Sequence, residues 1–591
     1  MNRNVSGRQP AVTTCMALIP LIGDDMCNLG RKLTVALVFW LGISTVVVVA
    51  PARAVGQVDH PAAAVVVQVS GLAGKLVVDL NDQEELPLEG NGSFPFRGEL
   101  ADGAGFRVKI KEIPVNYRCE PRPAAGVAAA GAVTTVEIAC RQIGQWSAAS
   151  SLADATTPVG GASEGPVAAM GNRANGLVVW AQSVGRERRI FKGEYRDGKW
   201  QAPSDMIAVS PAGGSAGKPK VALAGNGDAA IVWEQVEQGR SRILLAERRQ
   251  GVWKLPKSTA DSLSLGSKYA WEAEVAMNEL GDTVVVWSQE SASGAHAIYK
   301  SEYRHGKWQH PSGLADSISP AQGGDALRPK VAINDAGATL VVWEQAIDGV
   351  NRIFKSEFRD HKWRHPADHN DHLSPKGENT RGAYQPLVAI DAAGAALIAW
   401  KQAQGNKERI YLSEYRGGRW RHPESLEQAI SPPEIISANL NDLSMDGQGN
   451  AMVLWTAFKE RKQSLYKSEC RQGKWRHPAE GEVLAASPRA WEFYVSGQSA
   501  MSDDGRAVAA WLQRDEDKLA RAYLAEYDNG MWYVPGTLLN IEYQPASGLA
   551  LAASPGGDVI VVWTQGDGKN TRLYGRIFRV AKESVQATPS P

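Results

Sequence analysis

The sequence predicts an all-β chain built from repeats of four short strands, preceded by a smaller β unit. Three observations carry that reading. Tryptophan recurs with gaps of 52 to 57 residues. Within each period, short runs alternate apolar and polar residues between Gly, Asn and Asp turns. No segment of comparable length has the 3.6-residue apolar spacing of a helix, which excludes a helical solenoid.

The chain has 591 residues, 43% hydrophobic and 22% charged, enough apolar material for several domains or one repeat array and too much for disorder over most of its length. Lys plus Arg equals Asp plus Glu at 64 each. With no net positive charge and no dense basic run, nucleic acid is not an expected partner.

Arg31-Lys32, the apolar run Leu33 to Ala50 and the Ala52-Arg53-Ala54 end form a secretory signal, with cleavage expected after Ala54. A membrane anchor is the alternative, and Met26 is an alternative start to Met1. Cleavage removes Cys15 and Cys27 and leaves Cys119, Cys140 and Cys470. Export makes a Cys119–Cys140 disulfide the expectation, closing a loop of about 20 residues and stabilising by roughly 3 kcal/mol. The periplasm or the medium is the expected location.

The division expected is a signal peptide at 1–54, a small antiparallel β domain at 55–142, a repeat array at 143–580 and a disordered tail at 581–591. In the small domain, Gly74 to Leu80 and Phe106 to Ile110 alternate as strands, and Glu89-Gly90-Asn91-Gly92-Ser93 is a turn.

In the array, one class of Trp ends an apolar strand: Trp180, Trp233, Trp287, Trp343, Trp400, Trp455, Trp511 and Trp563. A second class follows a turn: Trp146, Trp200, Trp253, Trp308, Trp363, Trp420, Trp475 and Trp532. One unit shows the pattern. Val331-Ala332-Ile333 is a strand, Asn334 to Gly337 a turn, and Ala338 to Gln345 a second strand. Arg352 to Arg359 is a third, and Lys362-Trp363-Arg364-His365-Pro366 begins a fourth. Four short strands every 50-odd residues predict a β-propeller of eight blades, with seven as the alternative because the sixth unit carries Ala457 where most others have Gln. The last unit lacks a fourth strand, and Trp146 precedes the first complete unit, so an N-terminal strand is expected to complete the last blade.

Two resemblances add to this reading. Val69-Ser70-Gly71-Leu72, Asn91-Gly92-Ser93-Phe94-Pro95-Phe96, Cys119 and Cys140 resemble a small module of exported bacterial proteins, which implies a spacer without chemistry of its own. The units are similar to the Ala-Gly-Asn-Ala-x-x-Val-Trp-x-Gln repeats of exported bacterial proteins whose function is not established, which implies architecture rather than activity. Turns such as Asp391 to Gly394 lack the spacing of sialidase Asp-boxes, so sialidase chemistry is not carried over.

Near-identical blades present the same side chains several times, which suits repeated binding better than one catalytic site. Gln recurs two positions after the first Trp, as at Gln345, on the Trp face. A core Trp with Gln satisfying backbone is preferred there over a sugar platform. Glu recurs in the third strand from Glu194 to Glu526, usually with Arg two places later, and reads as a structural ion-pair ring rather than a catalytic pair. Cys470 stands where other units carry an aromatic residue and is expected to be a buried thiol.

Trp-x-His-Pro supplies the candidate binding residues Trp308, His310, Trp363, His365, Trp420, His422, Trp475 and His477, each pair an aromatic platform beside a His donor. A structural turn is the competing reading. His361, His369 and His372 are a weak metal signal, and no metal site, catalytic residue or cofactor is expected. No Gly-x-Ser-x-Gly nucleophile elbow at a strand-to-helix turn is read, and His-Glu-x-x-His and the P-loop are absent. The function expected is an exported binding protein for a glycan or an envelope or surface protein, monomeric and without a membrane span once cleaved. The alternatives are a polysaccharide lyase or glycoside hydrolase at the propeller channel, and a structural envelope scaffold.

Overall fold

The computed structural model describes residues 63–581 except 115, 149, 152–160, 173–174, 197, 202–207, 267, 376–379, 460–461, 479–482, 487–494, 529, 542–543 and 567. The signal segment and residues 582–591 of the tail lie outside the described residues. No α-helix occurs among the described residues; apart from two single-turn 3₁₀ segments the regular structure is strand. No helix is long and apolar enough to cross a membrane.

Residues 64–142 form two four-stranded sheets. One runs in the order Gly92–Pro95, Ala64–Ser70, Val133–Gln142, Tyr117–Arg122, the other Glu84–Leu88, Leu76–Leu80, Gly105–Glu112, Ala125–Val127. Alternate residues Val65, Val67, Val69, Val136 and Ile138 turn inward and meet Leu76, Val78, Phe106 and Val108 in one core. The expectation of an antiparallel unit is corrected here: Ala64–Ser70 pairs parallel with Val133–Gln142, with Val66 opposite Thr135. Alternation specifies which face of a strand is buried but not its direction. Cys119 and Cys140 sit opposite each other on antiparallel neighbours and form a disulfide.

Beyond residue 143, each Trp-bearing apolar strand lies second in its own antiparallel sheet of four strands, or of five in the sheets of Trp455 and Trp563, as in Ala326–Ile333, Thr339–Ile347, Val350–Arg359 and Lys362–Arg364. The sixth unit, with Ala457, builds the same sheet from Ala438–Met445, Ala451–Lys459, Lys462–Arg471 and Lys474–Arg476. In the last sheet, Gly144–Trp146 pairs antiparallel with Thr571–Val580, placing Trp146 opposite Phe578. This matches Trp363 opposite Phe358 within one unit. First strands of successive sheets touch in chain order, and Ala546–Ala553 touches Ser163–Gly171.

The second strands are buried on both faces because a sheet packs on each side, so they read as continuous apolar runs rather than alternations. Leu340, Val341, Val342 and Trp343 are all fully buried. The indole N–H of Trp343 donates to Gln345 Oε1 at 3.3 Å, and Gln345 Nε2 donates to the carbonyl of Pro320 at 2.9 Å. The same pair recurs at Trp180–Gln182, Trp233–Gln235, Trp287–Gln289, Trp400–Gln402 and Trp563–Gln565. Gln therefore satisfies two buried polar groups, the indole of its own strand and a loop carbonyl. In the sixth unit Ala457 does neither, and the buried Trp455 Nε1 has no partner. Replacing Gln345 with Leu is expected to orphan the Trp343 N–H and the Pro320 carbonyl. Destabilisation by about 2 kcal/mol should follow, read as a lowered Cm in denaturant unfolding.

Candidate functional site

The recurrent Glu and Arg share one face of the third strand, and the half-buried Trp of the fourth strand lies on the other, opposite the aromatic residue between them, as Trp363 lies opposite Phe358. Six of these Trp donate to the Glu of the preceding sheet, whereas Trp475 Nε1 is buried with no hydrogen-bond partner among the described residues. Trp253 Nε1 reaches Glu194 at 2.8 Å, Trp308 reaches Glu247 at 2.9 Å, and Trp363 reaches both oxygens of Glu302 at 3.1 and 3.2 Å. Trp420 reaches Glu357 at 3.2 Å, Trp532 reaches Glu469 at 2.9 Å, and the N-terminal Trp146 reaches Glu526 at 2.9 Å.

Four of these carboxylates, Glu194, Glu302, Glu357 and Glu469, pair with a Lys two places before and an Arg two places after. Around Glu302 these are Lys300 at 2.6 Å and Arg304 at 3.0 Å. The Arg then lies over an aromatic ring of the following sheet: Arg304 over Phe358 at 4.2 Å, and Arg359 over Tyr415 and Arg471 over Tyr527 at 4.0 Å each. Burial pushes the Glu194 carboxyl up, but Lys192, Arg248 and the Trp253 N–H outweigh it and hold it at about 2. Three positions depart from the pattern. Arg248 replaces the aromatic and donates to Glu194 at 2.7 Å. Cys470 replaces it in the sixth sheet, fully buried, with Arg416 Nη2 3.4 Å from its sulfur. Ile577 stands where the last sheet would carry Glu.

All four His of the Trp-x-His-Pro turns stack on their own Trp, with ring centroids 5.5 to 5.7 Å apart and planes within 13°. Nδ1 of His310, His365 and His422 lies 2.9 to 3.0 Å from Ser301, Ser356 and Ser413 Oγ on the third strand. His477 keeps the stacking, while Ser468 Oγ is buried without a partner. Burial lowers the affinity of these imidazoles for a proton, and the neighbouring Lys355 adds to this at His422, which is pushed down to about 4. The eight candidate residues are not gathered into one pocket. Trp308 and His310 line a groove of about 660 Å³ with Leu245 and Leu255 of the preceding sheet. Trp475 and His477 line another of about 440 Å³, shared with Trp532 of the following sheet. Among the described residues no His, Cys, Asp and Glu group is arranged to hold a metal ion.

Sequence reasoning missed a second set of polar residues, on the first strands. Lys218, Glu272, Arg328 and Gln385 occupy equivalent bulges, with φ of 51°, 56°, 52° and 56°. Left-handed backbone costs a non-glycine residue about 1 kcal/mol. Carboxylates of the preceding sheet hold the bulged N–H groups of three of them: Glu272 N donates to Glu234 at 2.7 Å, Arg328 N to Glu272 at 2.7 Å, and Gln385 N to Glu344 at 2.8 Å. Next to the bulges lies a cavity of about 350 Å³ lined by Lys218, Lys220, Glu234, Glu274, Arg328 and Lys330, among others. Glu274 pairs with Lys220 at 2.9 Å and with Lys330. Burial pushes its carboxyl up, but the two ammonium groups outweigh it and leave it below the usual range. Burial of Glu344 has the opposite outcome and raises its carboxyl. The signal for this site is a phase: Lys218-Pro219-Lys220, Glu272-Ala273-Glu274 and Arg328-Pro329-Lys330 place charge at the same point of successive units.

No protein-family model matches the chain, and no curated protein matches it. Solved structures similar to it include an ulvan lyase, described as a new family of polysaccharide lyase, at 11% identity, covering 62% of this chain and 94% of that one, with a TM-score of 0.38. The polysaccharide lyase Uly1 is 10% identical over 71% of this chain and 99% of its own, with a TM-score of 0.38. An Aleuria aurantia lectin solved with Fucα1-6GlcNAc is 15% identical over 55% and 96%, with a TM-score of 0.28. At these scores the likeness carries no argument about the chemistry of this chain.

Removing the Glu302 carboxylate (Glu302→Ala) strands Lys300, Arg304 and the Trp363 N–H and is expected to destabilise by about 3 kcal/mol in denaturant unfolding. The imidazole of His422 binds a proton below about 4 in the folded chain and below about 6.5 when unfolded, so between those values the unfolded chain holds more protons. Its contribution to stability therefore falls as pH drops from 6.5 to 4. Over that window the melting temperature of His422→Gln should fall less than that of the wild type.

Proposed function

We propose that this chain is an exported carbohydrate-binding protein: an eight-bladed β-propeller spanning 143–580, joined to a small disulfide-linked β domain at 55–142. Removal of residues 1–54 after Ala54 delivers it, as a monomer, to the periplasm or the medium. The cyclic order of first-strand contacts and the pairing of Gly144–Trp146 with the last third strand support the eight-blade reading.

The observation that carries the functional reading is the pair of grooves between neighbouring sheets, each walled by an indole stacked on an imidazole. In both, the indole is half-buried, and the imidazole is covered on the face stacked against it while the residue keeps exposed surface. An exposed aromatic edge beside a neutral imidazole offers a sugar an apolar face to stack on and a nitrogen to hydrogen-bond a hydroxyl. Trp308, Trp363, Trp420 and Trp475 act as walls fixed from behind, and His310, His365, His422 and His477 as the polar contacts. Repetition over four blades lets weak sites add.

Residues 55–591 are expected to bind saturably on a glycan array. Combined His310→Ala, His365→Ala, His422→Ala and His477→Ala should weaken that binding at least tenfold while thermal unfolding stays cooperative. A blank array, or binding unaltered in this variant, excludes the grooves as sugar sites and favours a protein-binding or scaffold role.

A further inference from the structure

We propose that the first strands of the middle repeats build a single cationic cleft that binds an acidic oligosaccharide, through carboxylate or sulfate groups on the sugar. The saccharide class rests on the carbohydrate reading above; the arrangement of cations does not. Beside the bulge cavity of about 350 Å³ lies an open one of about 590 Å³, lined by Arg381, Tyr384, Lys401, Asn406 and Ser437. Arg328 and Gln385 line both, so the two are contiguous. Together they have the volume of an oligosaccharide site rather than that of a lone inorganic anion.

The charge is uneven. Lys218, Lys220, Arg328, Lys330, Arg381 and Lys401 line the cleft against the carboxylates of Glu234, Glu272, Glu274 and Glu408, in a chain whose formal net charge is zero. Internal pairing leaves cationic capacity over. Lys220 and Lys330 share the one carboxylate of Glu274. Arg328 donates to the buried Glu344 at 2.5 Å through Nη1 only, and its side chain is 47% exposed. A guanidinium has five N–H donors, so several stay open to the cleft. Arg381 is exposed and has no ion pair among the described residues. Arg328 and Arg381 line one cavity with Tyr384, Gln385, Asn406 and Ser437, a set that matches a sugar ring bearing an anionic group: stacking for the ring, forked donors for the anion, amides for the hydroxyls. The interleaved carboxylates oppose a uniform polyanion such as nucleic acid, which rewards an unbroken basic track.

This cleft differs from the outer grooves in kind. Its residues are unlike from one repeat to the next, so it occurs once per chain, and binding to it weakens with salt.

Isothermal titration of residues 55–591 with hexagalacturonate, its methyl ester, a sulfated hexasaccharide and cellohexaose tests the proposal. One site per chain is expected for an acidic probe, at least tenfold tighter than for the methyl ester. Which acidic probe binds distinguishes carboxylate from sulfate. Arg381→Gln combined with Lys218→Gln, both exposed and remote from the apolar core, should weaken it at least fivefold. The four-His variant should leave it unchanged. The proposal is overturned if neither acidic probe binds, if the methyl ester binds as well as the acid, or if the double variant binds like the wild type. Neutral sugars bound at the grooves with no acidic binding sink the cleft alone. Acidic binding with silent grooves sinks the groove reading alone.

Discussion

The structure of the repeat array depends on a carboxylate that recurs on the third strand of most sheets. Neighbouring sheets share no long backbone ladder, so their cohesion comes from side chains: apolar second strands pressed together, and a third-strand Glu that accepts from the next sheet's Trp. Apolar contact is strong but non-directional. The Glu adds direction, because its oxygens are also held by Lys and Arg of its own strand, so the incoming indole N–H meets an acceptor already fixed in place. The Arg completes the joint by lying on the next aromatic ring.

That joint explains why the units from 300 to 480 are so alike. Lys, Glu, Arg, Trp and the aromatic form a set shared between adjacent sheets, and altering one member strands the others. Departures come with local substitutes. Arg248 takes the aromatic's place and binds the same Glu194 that holds Trp253. At Cys470 the guanidinium of Arg416 meets a thiol instead of a ring. Regularity in this chain therefore tracks the mechanical joint, whereas irregular charge on the first strands, at Lys220, Glu274 and Lys330, sits at a cavity. Trp308 and His310 remain part of a groove even though the Trp308 N–H serves the joint.

Much of this was legible from residues. The strand order within each unit, the burial of Trp343 and its relatives, and a Gln two residues on that satisfies a backbone carbonyl follow from period and side-chain chemistry, whereas the bond from the indole to that Gln came from the structure. The pairing of Cys119 with Cys140 was expected from their strand-like flanks and the export read from the sequence, and the two form a disulfide. Less legible were relations between strands far apart in the chain. The parallel alignment of Ala64–Ser70 with Val133–Gln142 leaves no mark on alternation, because a strand buries the same face in either direction. The acceptor of a fourth-strand Trp lies 59 to 63 residues upstream, as in the pairs Trp253–Glu194 and Trp420–Glu357. Both partners stood out in the sequence as repeated residues, but their bond crosses from one sheet to the next.

By itself the sequence determined what is local and periodic: four strands per unit, the turns between them, and which positions are apolar, because each rests on contacts within about 20 residues. Only the tertiary structure decided which side chains meet across sheets. It turned the Glu ring from an intrastrand pairing into an intersheet joint, and it brought Lys218, Arg328 and Arg381, spread over 160 residues, to one cleft. The physical reason is that charge and hydrogen bonding act through space over a few ångströms, and the chain distance between partners carries no trace of that proximity.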